Sequence, residues 1–145
     1  MRLNARNIGK STPWSDALGL EYLDAGPDCA SMRLPWRQDL AALDGSDILA
    51  SGAIASLIDQ ACGLAVMARF GRLVAVSTLN LKIDHLRTAD PHASVTVEAR
   101  CYHATRNVAF VRADVIDGTR RGPVAAAQGS FAFRSDAPGG EVPAP

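Results

Sequence analysis

The sequence is short of cysteine and has no excess of charge of either sign. Its 145 residues include three cysteines, and 15 basic residues balance 15 acidic ones. Cys29, Cys62 and Cys101 lie far apart and lack the spacing of a metal site, which favours free thiols in a reducing compartment. A nucleic-acid partner would require a basic stripe. We therefore expect neither nucleic acid nor a metal as a ligand.

The N-terminus lacks the apolar run of a secretion signal after Met1, so we expect a cytoplasmic protein. The length suits one domain with a substantial core. We predict a flexible N-terminal arm over residues 1–15, a folded domain over 16–134 and a disordered tail over 135–145.

The longest apolar segment runs from Leu49 to Phe70 and holds one acid, Asp59, beside Gln60. About 20 apolar residues can cross a bilayer, but a central Asp costs roughly 2.5–3.5 kcal/mol on insertion scales. Since 21% of the chain is charged, we interpret this segment as a buried central helix with no membrane partner. A carboxylate there indicates a functional role, although a structural hydrogen bond or a dimer contact is the alternative.

Alternating polar and apolar residues predict strands on both sides of this helix. A strand pair lies between Leu18 and Leu34, and after it a turn at Asp44-Gly45 leads to the helix, with Ser51 as N-cap. Four runs then predict a meander: Leu73–His85, Ala93–His103, Asn107–Asp117 and Pro123–Arg134. Because one sheet cannot cover a helix that is apolar nearly all round, we expect a homo-oligomer, either a dimer or a dimer of dimers.

The helix carries two groups that could take part in catalysis, the Asp59 carboxylate and the free backbone N–H groups at its N-terminus. The N–H groups of Ser51 and Gly52 would favour an oxyanion. Gly52 lies seven residues from Asp59, or about 10 Å along the axis, whereas a base must sit within about 3 Å of its proton. Both can act on one substrate only if they come from two protomers. In the strand predicted over Leu73–His85, the odd-numbered residues should face the helix. The Ser77 hydroxyl could therefore orient a water molecule or the Asp59 carboxylate. The alternative is that Ser77 only forms a hydrogen bond with nearby backbone.

The string LASGAIASLIDQACGLA…VSTLNLKIDHLRTA resembles the hotdog-fold acyl-CoA thioesterases of the phenylacetate-degradation type, over roughly Leu18 to Arg134. The resemblance implies an α+β fold in which a curved antiparallel sheet wraps one long central helix. Asp59 falls on the family's catalytic acid, which acts either as general base or as nucleophile. Ser77 falls on the position that places the attacking water. Ser51 and Gly52 fall on two glycines, the first of which polarises the thioester carbonyl through its backbone N–H.

Two positions depart from this family pattern. Ala50 stands where the family has a histidine that helps position the thioester carbonyl, and Asp44, upstream, stands where the family often has an asparagine, so both are candidate substrate-binding positions. Loss of one such polar group costs on the order of 10²-fold in rate.

The resemblance implies hydrolysis of a small or medium acyl-CoA thioester, with coenzyme A as part of the substrate and no other cofactor. Arg87 and Thr88 match a phrase that lies near the coenzyme A phosphates or pantetheine. The remaining candidates are Arg106 and Asn107 at the rim and Ile54, Ile58 and Leu79 around the acyl tail between protomers. A non-hydrolytic acyl-CoA-binding protein and a purely structural oligomer are the alternatives.

Overall fold

Two helices and six strands make up residues 12–134, the part of the chain that the computed structural model describes. The elements in chain order are α1 (Pro13–Leu18), β1 (Glu21–Gly26), β2 (Cys29–Leu34), a 3-10 turn (Gln38–Leu40), α2 (Ser51–Phe70), β3 (Ala75–His85), β4 (Val95–Ala104), β5 (Val108–Ile116) and β6 (Ala125–Arg134). Residues 1–11 of the predicted arm and the predicted tail, 135–145, lie outside the described residues.

The last residues of the predicted arm belong to the fold. The Thr12 hydroxyl caps α1 by accepting a hydrogen bond from the Ser15 N–H at 3.2 Å, and Pro13 occupies the start of the helix, where its missing N–H costs nothing. Ser15 and Leu18 are buried. The boundary predicted at residue 15 is therefore too late, since the folded part includes residue 12.

Helix α2 begins one residue earlier than a Ser51 cap implies, at Ser51 itself. Ala50 is the N-cap and has no side-chain capping bond, while Gly71 ends the helix in a left-handed conformation. The helix has the length and hydropathy of a membrane span. Its buried face, however, packs on the sheet as that of a core helix, through ten residues: Ala53, Ile54, Leu57, Ile58, Ala61, Cys62, Leu64, Ala65, Val66 and Ala68.

All six strands form one antiparallel sheet in the order β1-β2-β4-β5-β6-β3. The predicted strands and the long helix are confirmed, and α2 contacts every strand. The predicted meander of four consecutive strands is wrong in one respect. Strand β3 pairs with β6, because residues 86–94 carry the chain from one edge of the sheet to β4 near the other. This crossing leaves β3 as an edge strand.

A β-bulge at Leu79 divides β3 into two parts. Even-numbered residues face α2 before the bulge, and odd-numbered residues face α2 after it. Thr78 pairs with Phe131 and Asn80 with the preceding Ser130, so Leu79 is an extra residue. Val76 and Thr78 therefore share the helix side with Leu81 and Ile83. The prediction that odd-numbered residues face the helix holds only after the bulge, and Ser77 faces away.

Gly129 permits this irregular pairing. A Cβ atom at Gly129 would lie 2.6 Å from the backbone oxygen of Asn80 and 3.1 Å from atoms of Leu81 and Phe131. Because the nearest atom belongs to backbone, a larger residue would force β3 and β6 to shift next to the bulge.

Candidate active site

Asp59 lies halfway along α2 and is fixed by the neighbouring strand. The Thr78 hydroxyl donates a hydrogen bond of 2.6 Å to Asp59 Oδ1. Asp59 is partly buried rather than enclosed, so its carboxylate keeps contact with solvent while one oxygen is held. A carboxylate with one restrained oxygen and one available oxygen is suited to general-base chemistry.

An apolar cavity of about 340 Å³ opens beside this carboxylate. The polar residues of its lining are Asp59, Gln60, Thr78 and, from α1 and its cap, Thr12 and Ser15. The rest of the wall is largely apolar: Leu20, Tyr22, Met32, Gly63, Leu64, Met67, Leu73, Val76 and Phe131. This combination of an apolar chamber and a few convergent polar groups is typical of a small-molecule site.

The short helix α1 closes one side of the cavity through a polar contact. The Ser15 hydroxyl donates to Gln60 Oε1 at 3.2 Å, so the residue after Asp59 is tied to the N-terminal helix. Ser15 is 5% exposed, and burial without this partner would cost free energy. The chain before the first strand therefore shapes the site.

Cys62 is the cysteine nearest in sequence to Asp59, but it is unsuited to act as a nucleophile. Burial, and secondarily the charge of Asp59, raises the pKa of the Cys62 thiol to about 12. The thiolate is the reactive form. Cys62 is accordingly a protonated core residue at neutral pH, and Asp59 is the group available for chemistry.

The N-terminus of α2 lies apart from this cavity within one protomer. Ser51 and Gly52 are exposed, and their N–H groups have no intrahelical acceptor. Neither residue lines the Asp59 cavity. The two groups are separated by about 10 Å along the helix. That the Asp59 carboxylate of one protomer meets the helix N-terminus of another is still a prediction.

Two sequence-based assignments need correction at Ser77 and Arg87. Ser77 faces away from α2, and Thr78 holds Asp59 instead. Arg87 was expected near coenzyme A phosphates, but its terminal nitrogens are occupied within the protein. They donate to both carboxylate oxygens of Asp117 at 2.8 Å and to the backbone oxygens of Thr88 and Gly122. Arg87 thus joins loops and has little capacity left for a ligand.

The residues expected around the acyl tail between protomers do not line this cavity, and that expectation stays a prediction. Ile54 and Ile58 are 3% and 0% exposed and belong to the core, whereas Leu79 protrudes from the bulge and is 59% exposed. None of the three lines the Asp59 cavity in the described structure. The apolar wall of this cavity comes from one side of α2 and from the sheet, with Met67 and Phe131 as representative members.

The other candidates also lie outside the cavity in residues 12–134. Asp44 occupies an exposed turn and Ala50 the N-cap. Arg106 is exposed on the β4–β5 hairpin without an ion pair in the described structure, and the adjacent Asn107 accepts a hydrogen bond from the Phe133 N–H through its backbone oxygen. Their predicted roles in substrate binding stay predictions.

The model of the thioesterase superfamily matches residues 47–124, more than half of the chain and the part that contains α2, Asp59 and Thr78. The chain belongs to the thioesterase superfamily. Its long helix on an antiparallel sheet is the hotdog fold, as expected from the sequence. A search of curated protein sequences gives no significant match.

Solved structures agree with thioesterase-superfamily membership. A conserved protein of Pseudomonas aeruginosa is 32% identical, with 90% of this chain and 100% of that chain covered and a TM-score of 0.79. A mutant of the phenylacetic acid degradation protein PaaI of Thermus thermophilus is 27% identical, with coverage of 85% and 99% and a TM-score of 0.72. A thioesterase of Haemophilus influenzae is 18% identical, with 92% of each chain covered and a TM-score of 0.79, and shows the same fold. The resemblance to PaaI-type hotdog thioesterases is thereby confirmed.

Membership in the superfamily supports acyl thioester hydrolysis in general. The residues that sequence reasoning missed are Thr78 and most of the cavity wall. Thr78 directly follows Ser77, so a hydroxyl was expected on this strand, but no local pattern marks the extra residue that decides which hydroxyl faces Asp59.

Proposed function

We propose that this protein hydrolyses small or medium acyl-CoA thioesters in the cytoplasm, as a homo-oligomer and without a metal or bound cofactor. The observation that carries the proposal is the Asp59 carboxylate, restrained by Thr78 at the mouth of an apolar cavity. Membership in the thioesterase superfamily supports the reaction type.

In the first step Asp59 acts as the general base. Its free oxygen takes a proton from a water molecule while the water oxygen bonds to the thioester carbonyl carbon. The hydrogen bond from Thr78 limits rotation of the carboxylate, so the base is already oriented when substrate arrives. Thr78 is a positioning residue in this scheme, since it touches the base and not the substrate.

The resulting tetrahedral intermediate carries a negative oxygen that requires donors. The exposed N–H groups of Ser51 and Gly52 from a second copy are suited to this task, because helix N-termini stabilise anions. Collapse of the intermediate breaks the carbon–sulfur bond. Coenzyme A leaves as a thiolate, receives the proton held by Asp59, and the free acid remains.

The acyl group occupies the cavity lined by Met32, Met67 and Phe131. A volume of about 340 Å³ lies at the small end of ligand pockets, which range from about 300 to 1,000 Å³. This size supports a short aliphatic or single-ring acyl group. The coenzyme A portion remains outside, where Arg106 and Asn107 are candidates for contact.

The test is release of free thiol from a panel of acyl-CoA substrates that includes acetyl-, butyryl-, hexanoyl- and benzoyl-CoA. Asp59→Asn removes the base but keeps an acceptor for Thr78, so we expect kcat to fall by about 10²- to 10⁴-fold with folding unchanged. Asp39→Asn, in an exposed turn, is the matched control and should match wild type. Equal turnover by wild type and Asp59→Asn would contradict the proposal.

A non-hydrolytic acyl-CoA-binding protein is the second candidate. It is favoured by Ala50, which caps α2 without any side-chain hydrogen bond and stands where the resemblance implies a histidine. This alternative predicts that calorimetry detects binding of acyl-CoA while the thiol assay detects no release with any substrate of the panel.

A further inference from the structure

Most of the hydroxyl groups that line the Asp59 cavity already donate to a neighbour. The Thr78 hydroxyl donates to Asp59 at 2.6 Å, and the Ser15 hydroxyl donates to Gln60 Oε1 at 3.2 Å. The Thr12 hydroxyl lies 3.0 Å from the Ser15 hydroxyl and must be the donor there, since Ser15 gives its proton to Gln60. A hydroxyl has a single proton to donate. These three side chains therefore have no donor left for a substrate.

The amide of Gln60, by contrast, keeps both of its N–H donors. Within residues 12–134, Gln60 Nε2 has no hydrogen-bond acceptor, and it is not one of the unpaired atoms that are closed off from solvent. Oε1 and Nε2 diverge from one carbon, so the bond from Ser15 to the oxygen turns the nitrogen away from α1. Because Gln60 lines the cavity, its free N–H groups belong to the same chamber as the Asp59 carboxylate.

The position of Gln60 suits a donor to the substrate carbonyl. Asp59 and Gln60 are consecutive residues in the middle of α2, about 3.8 Å apart at Cα, and both are partly buried. The carbonyl oxygen of a bound thioester lies only about 1.2 Å from the carbon that water attacks. A donor to that oxygen must therefore lie close to the base. Within one protomer Gln60 meets this requirement, whereas the N–H groups of Ser51 and Gly52 do not.

The Tyr22 hydroxyl is the other unpaired donor on the cavity wall within the described residues. Tyr22 lies on β1, an edge strand of the sheet, and pairs there with Met32. No hydrogen bond in residues 12–134 fixes its hydroxyl, whereas Ser15 restrains the Gln60 amide. Donors that are held in place before the reaction stabilise a developing charge more effectively than mobile ones. The restrained amide of Gln60 is therefore the better candidate.

We propose that Gln60 Nε2 donates a hydrogen bond to the thioester carbonyl oxygen, and to the negative oxygen that replaces it in the tetrahedral intermediate. Ser15 is the residue that positions the amide. This role rests on the hydrolysis proposed above for Asp59. It adds a donor from the same protomer as Asp59 to the N–H groups of a second copy. It also gives the site a polar side chain where Ala50 replaces the histidine implied by the resemblance.

Turnover of butyryl-CoA tests the loss of the donor. Gln60→Met keeps the length of the side chain without its N–H groups, so kcat should fall by about 10²-fold. Gln60→Glu keeps an oxygen for Ser15 but has no N–H, and should lose at least as much. If Gln60 served only as the partner of Ser15, Gln60→Glu would match wild type. Gln128→Met, an exposed position of β6 outside the cavity, is the matched control and should keep full activity.

Binding separates contact with the carbonyl from damage to the cavity. Calorimetry in the slow Asp59→Asn background would compare butyryl-CoA with S-butyl-CoA, a thioether of equal chain length that lacks the carbonyl oxygen. Adding Gln60→Met should weaken butyryl-CoA by about 3- to 10-fold, the range of one neutral hydrogen bond, and leave S-butyl-CoA unchanged. Adding Ser15→Ala should give a smaller loss with the same selectivity, because the amide stays but is no longer held.

Three outcomes would overturn the role of Gln60: equal weakening of both ligands, no change in either, or a carbonyl-selective loss in Tyr22→Phe instead of Gln60→Met. The proposed function is judged separately, by thiol release from wild type and its fall in Asp59→Asn. If those results hold while Gln60→Met turns over normally, only the role of Gln60 fails. If wild type releases no thiol, the calorimetric comparison still decides whether Gln60 contacts the carbonyl.

Discussion

The Thr78 hydroxyl and Asp59 Oδ1, 2.6 Å apart, join the edge strand β3 to the middle of α2 at the mouth of the apolar cavity. Hydrogen bonds to charged groups contribute about 1.5–3 kcal/mol. The contact therefore has enough energy to fix the orientation of the carboxylate, and the chemistry proposed for this thioesterase-superfamily protein depends on it.

Removal of the Thr78 hydroxyl by a side chain of the same shape should lower turnover. We expect Thr78→Val to reduce kcat by about 10- to 100-fold, with KM little changed, because the carboxylate loses its restraint and not a substrate contact.

Two further variants separate this role from general damage to β3. Thr78→Ser keeps the hydroxyl and should recover most of the activity, while Ser77→Ala should behave as wild type because Ser77 faces away from α2. A larger loss of kcat in Ser77→Ala than in Thr78→Val would contradict the role of Thr78 as the residue that orients Asp59.

The helix N-cap gives a test of the proposed oxyanion site in which stability and activity change in opposite directions. Ala50→Asp supplies a capping carboxylate and should raise the free energy of unfolding by about 0.5–2 kcal/mol. The same carboxylate occupies the N–H groups near Gly52 and repels an oxyanion, so kcat should fall by at least 10-fold. Thermal melting and thiol release on one preparation check both effects, and unchanged kcat in a stabilised variant would remove the helix N-terminus from the mechanism.

Gly63 allows the depth of the cavity to be tested. It lies in the interior of α2, lines the cavity, and has open space where a Cβ would be placed. Gly63→Ala should stabilise the protein by about 0.5–1 kcal/mol through helix propensity. Gly63→Leu should instead fill the chamber and lower kcat/KM for hexanoyl-CoA by about 10-fold or more relative to acetyl-CoA. An equal effect on all acyl lengths would place the acyl group elsewhere.

The Arg87–Asp117 pair predicts a dependence of stability on pH. The Arg87 guanidinium holds the pKa of Asp117 well below its ordinary value, with help from the hydroxyl and N–H of Thr119. A carboxyl with a lowered pKa in the folded state stabilises the protein above its unfolded pKa of about 4, and this contribution is lost as the pH falls further.

Asp117→Asn should therefore lower Tm by on the order of 5–10 °C at pH 7, because it removes the carboxylate that pairs with Arg87 at 2.8 Å and leaves only the longer contact with Asp90, at 4.0 Å. The difference from wild type should narrow between pH 5 and pH 2. Parallel Tm curves for the two proteins over that range would contradict the assignment.

Local sequence patterns predicted the positions of the helix and strands better than they predicted which side chains contact one another. The apolar composition from Leu49 to Phe70 was sufficient to place α2, and alternation was sufficient to locate β3 to β6 within a few residues. Alternation also assigned Ser77 to the helix side. That assignment was wrong because an extra residue at Leu79 reverses the parity, and both Ser77 and Thr78 are small and polar, so the sequence gives no sign of the reversal.

Arg87 shows a second limit of sequence reasoning. The family resemblance implied that it lies near the phosphates or pantetheine of coenzyme A, but its acceptor in the protein, Asp117, lies 30 residues further along the chain. The pairing of β3 with β6 brings distant loops together in the same way. Such contacts depend on topology, which a local pattern does not specify. The same limit applies to the cavity wall, which combines residues from Leu20 to Phe131.

Gly129 illustrates how far from the chemistry an inactivating change can arise. A single added methyl group would press on the Asn80 carbonyl, two residues beyond the hydroxyl that steadies Asp59. A protein with such a change would keep its catalytic acid, its cavity wall and its place in the superfamily, and would still hydrolyse poorly. Loss of function in natural or engineered relatives should therefore be sought in strand β6 as well as among the residues that meet the substrate.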